Sequence, residues 1–214
     1  MEAKIMEELE AMYDLVGSFS EEGLAQVSKD DTCFHIRLDG TPAYEERFDD
    51  AGFFSGGLAW VRKGNESFHI LPNGAPAYNE RYDEVGSFLE GLARVCKNHQ
   101  WFHILPNGTP AYKERYEKVG PFSEGLAWVK KDGKEFHILP DGTPAYVERF
   151  DVVSSFSEGL ARVSKDGMEF HIRPNGTPAY RQRYNSVGSF SKGRAEVCKD
   201  GDWFKIRPDG TRAR

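Results

Sequence analysis

Residues 88–120 read FLEGLARVCKNHQWFHILPNGTPAYKERYEKVG, and the rest of the chain is this stretch written again. The Gly-Leu-Ala core at Gly91 recurs at Gly57, Gly125 and Gly159, and as Gly-Arg-Ala at Gly193, in steps of 34 residues. The first copy, at Gly23, stands 34 residues before Gly57, but Phe19 stands 35 before Phe54, so one residue is inserted around Glu21-Glu22. Six copies at a fixed period mean stacked supersecondary units. A unit this short cannot offset its own chain entropy by burial alone.

Within the stretch, alternating residue types predict three short strands, at 92–95, 101–104 and a longer one at 111–116. The first two are joined by turns such as Lys165-Asp166-Gly167. The second pair is joined by Pro-Asn/Asp-Gly at Pro72, Pro106, Pro140, Pro174 and Pro208. There proline presets the first corner and glycine takes the left-handed conformation that closes a hairpin. Proline also opens the longer strand in each copy, at Pro42, Pro76, Pro110, Pro144 and Pro178, which suits a strand start or an edge. The Val-Gly-Ser-Phe corner leaves room for a short fourth strand. Its phenylalanine (Phe19, Phe54, Phe88, Phe122, Phe156, Phe190) is expected to plug one copy onto the next.

Residues 1–12 form a predicted helix, with Ile5, Met6, Leu9 and Met12 on one stripe, ahead of a single repeat domain at 13–214. A frame that starts at proline divides the chain into units 7–41, 42–75, 76–109, 110–143, 144–177 and 178–211. The first unit lacks the Pro-Ala-Tyr segment and the last stops where that segment would begin. This complementarity predicts an all-β protein closed as a six-bladed, propeller-like toroid; the alternative is an open β-superhelix with capped ends.

Net charge is −6 and the isoelectric point about 5.6, which argues against a nucleic-acid partner, since phosphate binding needs clustered Lys and Arg. No apolar run is long enough to span a membrane, and MEAKIMEELEAMYD has no signal-peptide pattern, so the expected location is the cytoplasm. Cys33, Cys96 and Cys198 have neither metal-ligand spacing nor an even count, and they read as small, partly buried thiols.

The motif Phe-Ser-Glu-Gly-Leu-Ala-Trp-Val at 122–129, followed by a Lys/Asp/Gly turn and an aromatic strand, resembles the bacterial WG-repeat family. The resemblance covers residues 13–211. The Trp-Gly pair of that family appears here as Trp101-Phe102 and Trp203-Phe204, and as Cys33, Ser67, Glu135 or Glu169 in place of Trp elsewhere, which marks a divergent member. The resemblance implies an all-β binding or scaffolding module and brings no catalytic residues.

The residues themselves offer three candidates for function. His35, His69, His103, His137 and His171 repeat inside Phe-His-Ile, with Lys205 in the sixth place. Phe and Ile share one face of that strand, so the histidines are expected on the other, facing outward as a polar or pH-sensitive surface. Metal ligation is not expected, because repeated residues stand too far apart to meet one ion at about 2–2.5 Å. On the longer strand, a carboxylate such as Glu114 shares a face with two aromatics, and Arg47, Arg81, Arg115, Arg149 and Arg183 take the other, expected to pair locally with acids. Trp60, Arg94, Trp128 and Arg162 share the position after Gly-Leu-Ala, where Gln26 and Glu196 also stand. A position that accepts such variety faces solvent or a partner, and Trp and Arg are hot-spot types.

The expected binding surface is therefore Trp60, Arg94, Trp128 and Arg162 with His69, His103, His137 and His171. No nucleophile with a base, phosphate-cradling loop or HExxH appears, so the expectation is not an enzyme and no cofactor. It is a monomeric scaffold for a protein or peptide. The alternative is a multivalent binder of small ligands such as carbohydrates, with one site at each repeat interface.

Overall fold

The computed structural model describes residues 2–213, with side chains from residue 6 onward. Met1, Arg214 and the side chain of Ile5 lie outside the described residues. Helix α1 (Glu2–Glu10) is followed by six antiparallel sheets of three strands, each laid out in chain order with the second strand in the middle. The contacts gather into two compact units, residues 1–99 with 103–110, and residues 100–102 with 111–214.

The fourth sheet shows the pattern: Lys118–Val119, Ala127–Lys131 and Lys134–Ile138. Its second and third strands pair Ala127 with Ile138 through Lys131 with Lys134. Between them Asp132 and Gly133 both have positive φ, 53° and 73°. That is the two-residue turn whose twist matches the flanking strands. The core follows from alternation: Ala127, Val129, Phe136 and Ile138 are buried, and so are their counterparts in the other sheets, except Phe204 in the sixth, which is half-buried.

Two expectations change. The short strand at the Val-Gly corner is the third member of every sheet. The longer strand at 111–116 and its equivalents does not form. In the fifth copy, only Pro144 and Phe150 bridge back, to Ile138 and Glu135, and the chain bends between them. The cause is Arg149, whose Nη1 donates to the carbonyls of Tyr146, Val147 and Glu148 at 3.1, 2.8 and 2.9 Å. Three successive carbonyls turned onto one guanidinium cannot also lie in a flat ladder. Arg149 stacks 3.7 Å over the Phe136 ring rather than pairing with an acid, and Arg47, Arg115 and Arg183 repeat the stacking.

At the other end of the first unit, α1 stands in for the segment its copy lacks. Leu9 is 3% exposed and packs against Gly40, as the Tyr44 ring packs against Gly74 one copy later. Tyr13 meets Phe34 edge to face at 5.8 Å, the place Phe48 takes on Phe68. Of the predicted helical stripe, Leu9 is buried but Met12 is 53% exposed. No helix among the described residues is long and apolar enough to cross a membrane.

Candidate functional site

The phenylalanine corner packs one sheet onto the next as expected, and its partner is the histidine. Phe54 meets His35 at 4.5 Å and Phe88 meets His69 at 4.6 Å in the first unit. Phe156 on His137 and Phe190 on His171 repeat this in the second. The histidines are therefore not surface groups. His69, His103, His137 and His171, like His35, are 0% exposed, which corrects the outward placement. Alternation put them on the face opposite Phe and Ile, but that face is covered by the following copy.

Each of four histidines has both ring nitrogens engaged. In the second unit, His137 Nε2 donates to the Ser154 carbonyl at 2.9 Å, and Nδ1 accepts from the Tyr146 hydroxyl at 2.5 Å. His35, His69 and His171 do the same with Tyr44 and Gly52, Tyr78 and Gly86, and Tyr180 and Gly188. A carbonyl can only accept, which fixes the neutral Nε2–H tautomer and leaves no lone pair for a metal. Burial pushes His69 and His137 down to about 4, and His35 and His171 in the same direction. It raises Tyr44, Tyr78, Tyr146 and Tyr180.

The carbonyl that receives the histidine belongs to the residue beneath the variable position. Gly52 donates its N–H to Trp60 O at 2.8 Å, and its carbonyl accepts from His35. A Cβ built on Gly52 would stand 2.0 Å from Trp60 Nε1, so the indole lies flat on the bare backbone. Trp128 covers Gly120 in the same way, and Arg94 lies over Gly86 with its Cγ 3.0 Å from such a Cβ. Only glycine permits this approach. Trp60, Trp128 and Arg162 are half-buried and Arg94 is exposed, and Trp60, Trp128 and Arg94 lie against the corner rather than projecting from it.

Where the position holds Gln26, the slot stays open. A cleft of about 590 Å³ there is lined by Gly17, Phe19, Gln26, Glu22 and Phe53, the last 60% exposed. Glu22 accepts the Gly57 N–H at 2.6 Å, which holds its carboxyl below the usual range. Glu124 and Glu158 cap Gly159 and Gly193 likewise, a tie between copies that the sequence pattern did not reveal. Its only signal was a glutamate kept before the corner glycine. Cys33, Cys96 and Cys198 are free thiols, two buried and one half-buried.

Six three-stranded sheets carrying a variable side chain over each corner define an all-β tandem-repeat module of propeller type. Solved structures agree on the fold. The chain has a TM-score of 0.59 to a structure described as the eukaryotic initiation factor, at 9% identity, covering 94% of this chain and 64% of that one. To Hsv2p of Kluyveromyces lactis the TM-score is 0.51 at 12% identity, covering 90% and 74%. Both are β-propellers. The model of the WG containing repeat matches residues 8–33, 38–66, 81–101, 106–134, 148–168 and 175–203. The chain belongs to the WG-repeat family. No curated protein matches the sequence.

Proposed function

We propose that the chain is a non-catalytic scaffold that binds a protein or peptide over its corner slots and works in the cytoplasm. The observation that carries this reading is the pair Trp60 and Trp128, each laid half-exposed on a glycine at the same repeat position. The fold accepts Gln26 and Glu196 there, so the indoles are not required for packing. A flat aromatic held by a rigid backbone contributes contact area at little entropic cost, which is why Trp and Arg dominate binding hot spots. The same facts speak against equivalent small-ligand sites at every interface. The slot is covered by an indole in two copies, by Arg94 in one, and is open at Gln26.

The test is a displayed random-peptide library panned on the whole protein, followed by affinity measurement of the enriched peptides. Trp60→Ala and Trp128→Ala should each weaken them at least about tenfold, the loss of one hot-spot side chain. Enriched peptides that bind both variants as tightly as the parent would remove the reading.

A further inference from the structure

The sixth copy departs from the other five at three positions, and each departure adds a cation. Lys192 stands where Glu22, Glu90, Glu124 and Glu158 stand, Arg194 where five leucines stand, and Lys205 where five histidines stand. The three are brought together with Ser191 and Glu196 around one cleft of about 610 Å³. Glu196 sits directly across the ladder from Lys205. Lys192, Arg194 and Lys205 are exposed, and among the described residues none of them forms an ion pair. The lining carries three cations and one carboxylate, with the Glu158 carboxylate at the Lys192 N–H as a further acid beside it, in a chain whose total is −6.

The backbone gives no reason for the change. Ala213 N donates to Lys205 O at 2.7 Å, as Ala179 N donates to His171 O at 2.8 Å in the copy before, and Gly188 N donates to Glu196 O at 2.8 Å. The local backbone frame is thus the same as in the copy before, while the side chains differ in charge and in cover: Arg194 and Lys205 are exposed where the leucines and histidines are buried.

We propose that this cleft is an anion site for paired carboxylates of an acidic peptide. The guanidinium of Arg194 offers a planar fork suited to a carboxylate, and Lys192 and Lys205 supply point charges for a second one. The Glu196 carboxylate inside the cleft disfavours a dianion such as phosphate more than a pair of separate single charges. The peptide-binding reading above supplies only the nature of the ligand. Trp60 and Trp128 do not line this cleft, so the two readings fail separately.

The test is fluorescence anisotropy of the full chain with a labelled Ser-Gly peptide carrying a Glu-Glu pair, against the same peptide with Gln-Gln. The Glu-Glu peptide should bind at least about tenfold more tightly at low salt and lose that margin as salt rises. Arg194→Leu and Lys205→His restore residues that the same backbone carries elsewhere, so the fold is kept; each should abolish the preference. Circular dichroism melts of both variants within a few degrees of the parent confirm that the fold is intact. Equal binding of the two peptides overturns the proposal, as does an unchanged preference in both variants. Inorganic phosphate that binds while the Glu-Glu peptide does not overturns it as well, in favour of a phosphate ligand.

Discussion

The His137 ring and the Tyr146 hydroxyl hold each other in one state. Tyr146 Oη accepts the His137 N–H at 3.2 Å and donates to Nδ1 at 2.5 Å, while Nε2–H is spent on Ser154 O. Protonating the ring would place a second N–H against that hydroxyl in a site with no exposure to water. Neutral histidine is therefore part of how one copy is fastened to the next.

A pH dependence follows. His69 and His137 titrate near 4 in the folded chain against an ordinary value of 6.5. Between those values the unfolded state binds more protons, so stability is full above about pH 6.5 and falls as pH drops towards 4. Each unit costs about 1.4 kcal/mol per histidine, or about 2 kcal/mol each between pH 7 and 5. Urea melts at the two pH values measure it. An unchanged midpoint would mean that the rings are not held neutral.

The coupling within the pair is separately measurable. Tyr146→Phe leaves the His137 amide and Nδ1 buried without partners, which should cost about 1–3 kcal/mol. His137→Leu removes the acceptor and strands the Ser154 carbonyl. In a double-mutant cycle the combined variant should cost less than the sum by about 1 kcal/mol or more. Additive losses would show that the hydrogen bonds to the hydroxyl contribute little.

How much of this the sequence discloses depends on how local each cause is. The hairpin turns are local, and Asp132-Gly133 and Pro140-Asp141-Gly142 carry their own conformational requirements, so they were legible. The period and the phenylalanine plug were legible because repetition itself implies an interface. The histidines were misplaced because alternation assigns a face and cannot say that Phe156 and Ser154, from the next copy, cover it. The 111–116 segment looked like a strand because its alternation is real. What breaks it is an arginine folding back on three carbonyls, and no periodicity encodes that.

Glycine positions separate two kinds of cost. Gly125 has φ +78° and open space where a Cβ would go, while Gly142 has φ +84° and Tyr112 Cβ and Cγ at 2.6 Å from that point. Gly125→Ala should lose about 1–2 kcal/mol for the left-handed backbone alone. Gly142→Ala should lose a further 1–3 kcal/mol or so from forcing the tyrosine off the turn. Thermal unfolding of the two variants side by side gives the difference. Equal losses would mean that the ring yields freely and does not hold the turn in place.

The last prediction concerns what Arg149 contributes. If its role were charge, Arg149→Lys would be nearly silent and high salt would weaken the parent. The geometry says otherwise, because the guanidinium lies flat 3.7 Å from the Phe136 ring centre while Nη1 gathers three carbonyls. A lysine ammonium cannot be planar over the ring and also reach those oxygens. Arg149→Lys and Arg149→Met should therefore lose similar amounts, about 1–3 kcal/mol, from the stranded carbonyls and the lost stacking. The parent should hold its urea midpoint when sodium chloride is raised, since short-range contacts are little screened. A lysine variant as stable as the parent would return the bend at 144–150 to proline and chain length, and the arginine would be a passenger on it.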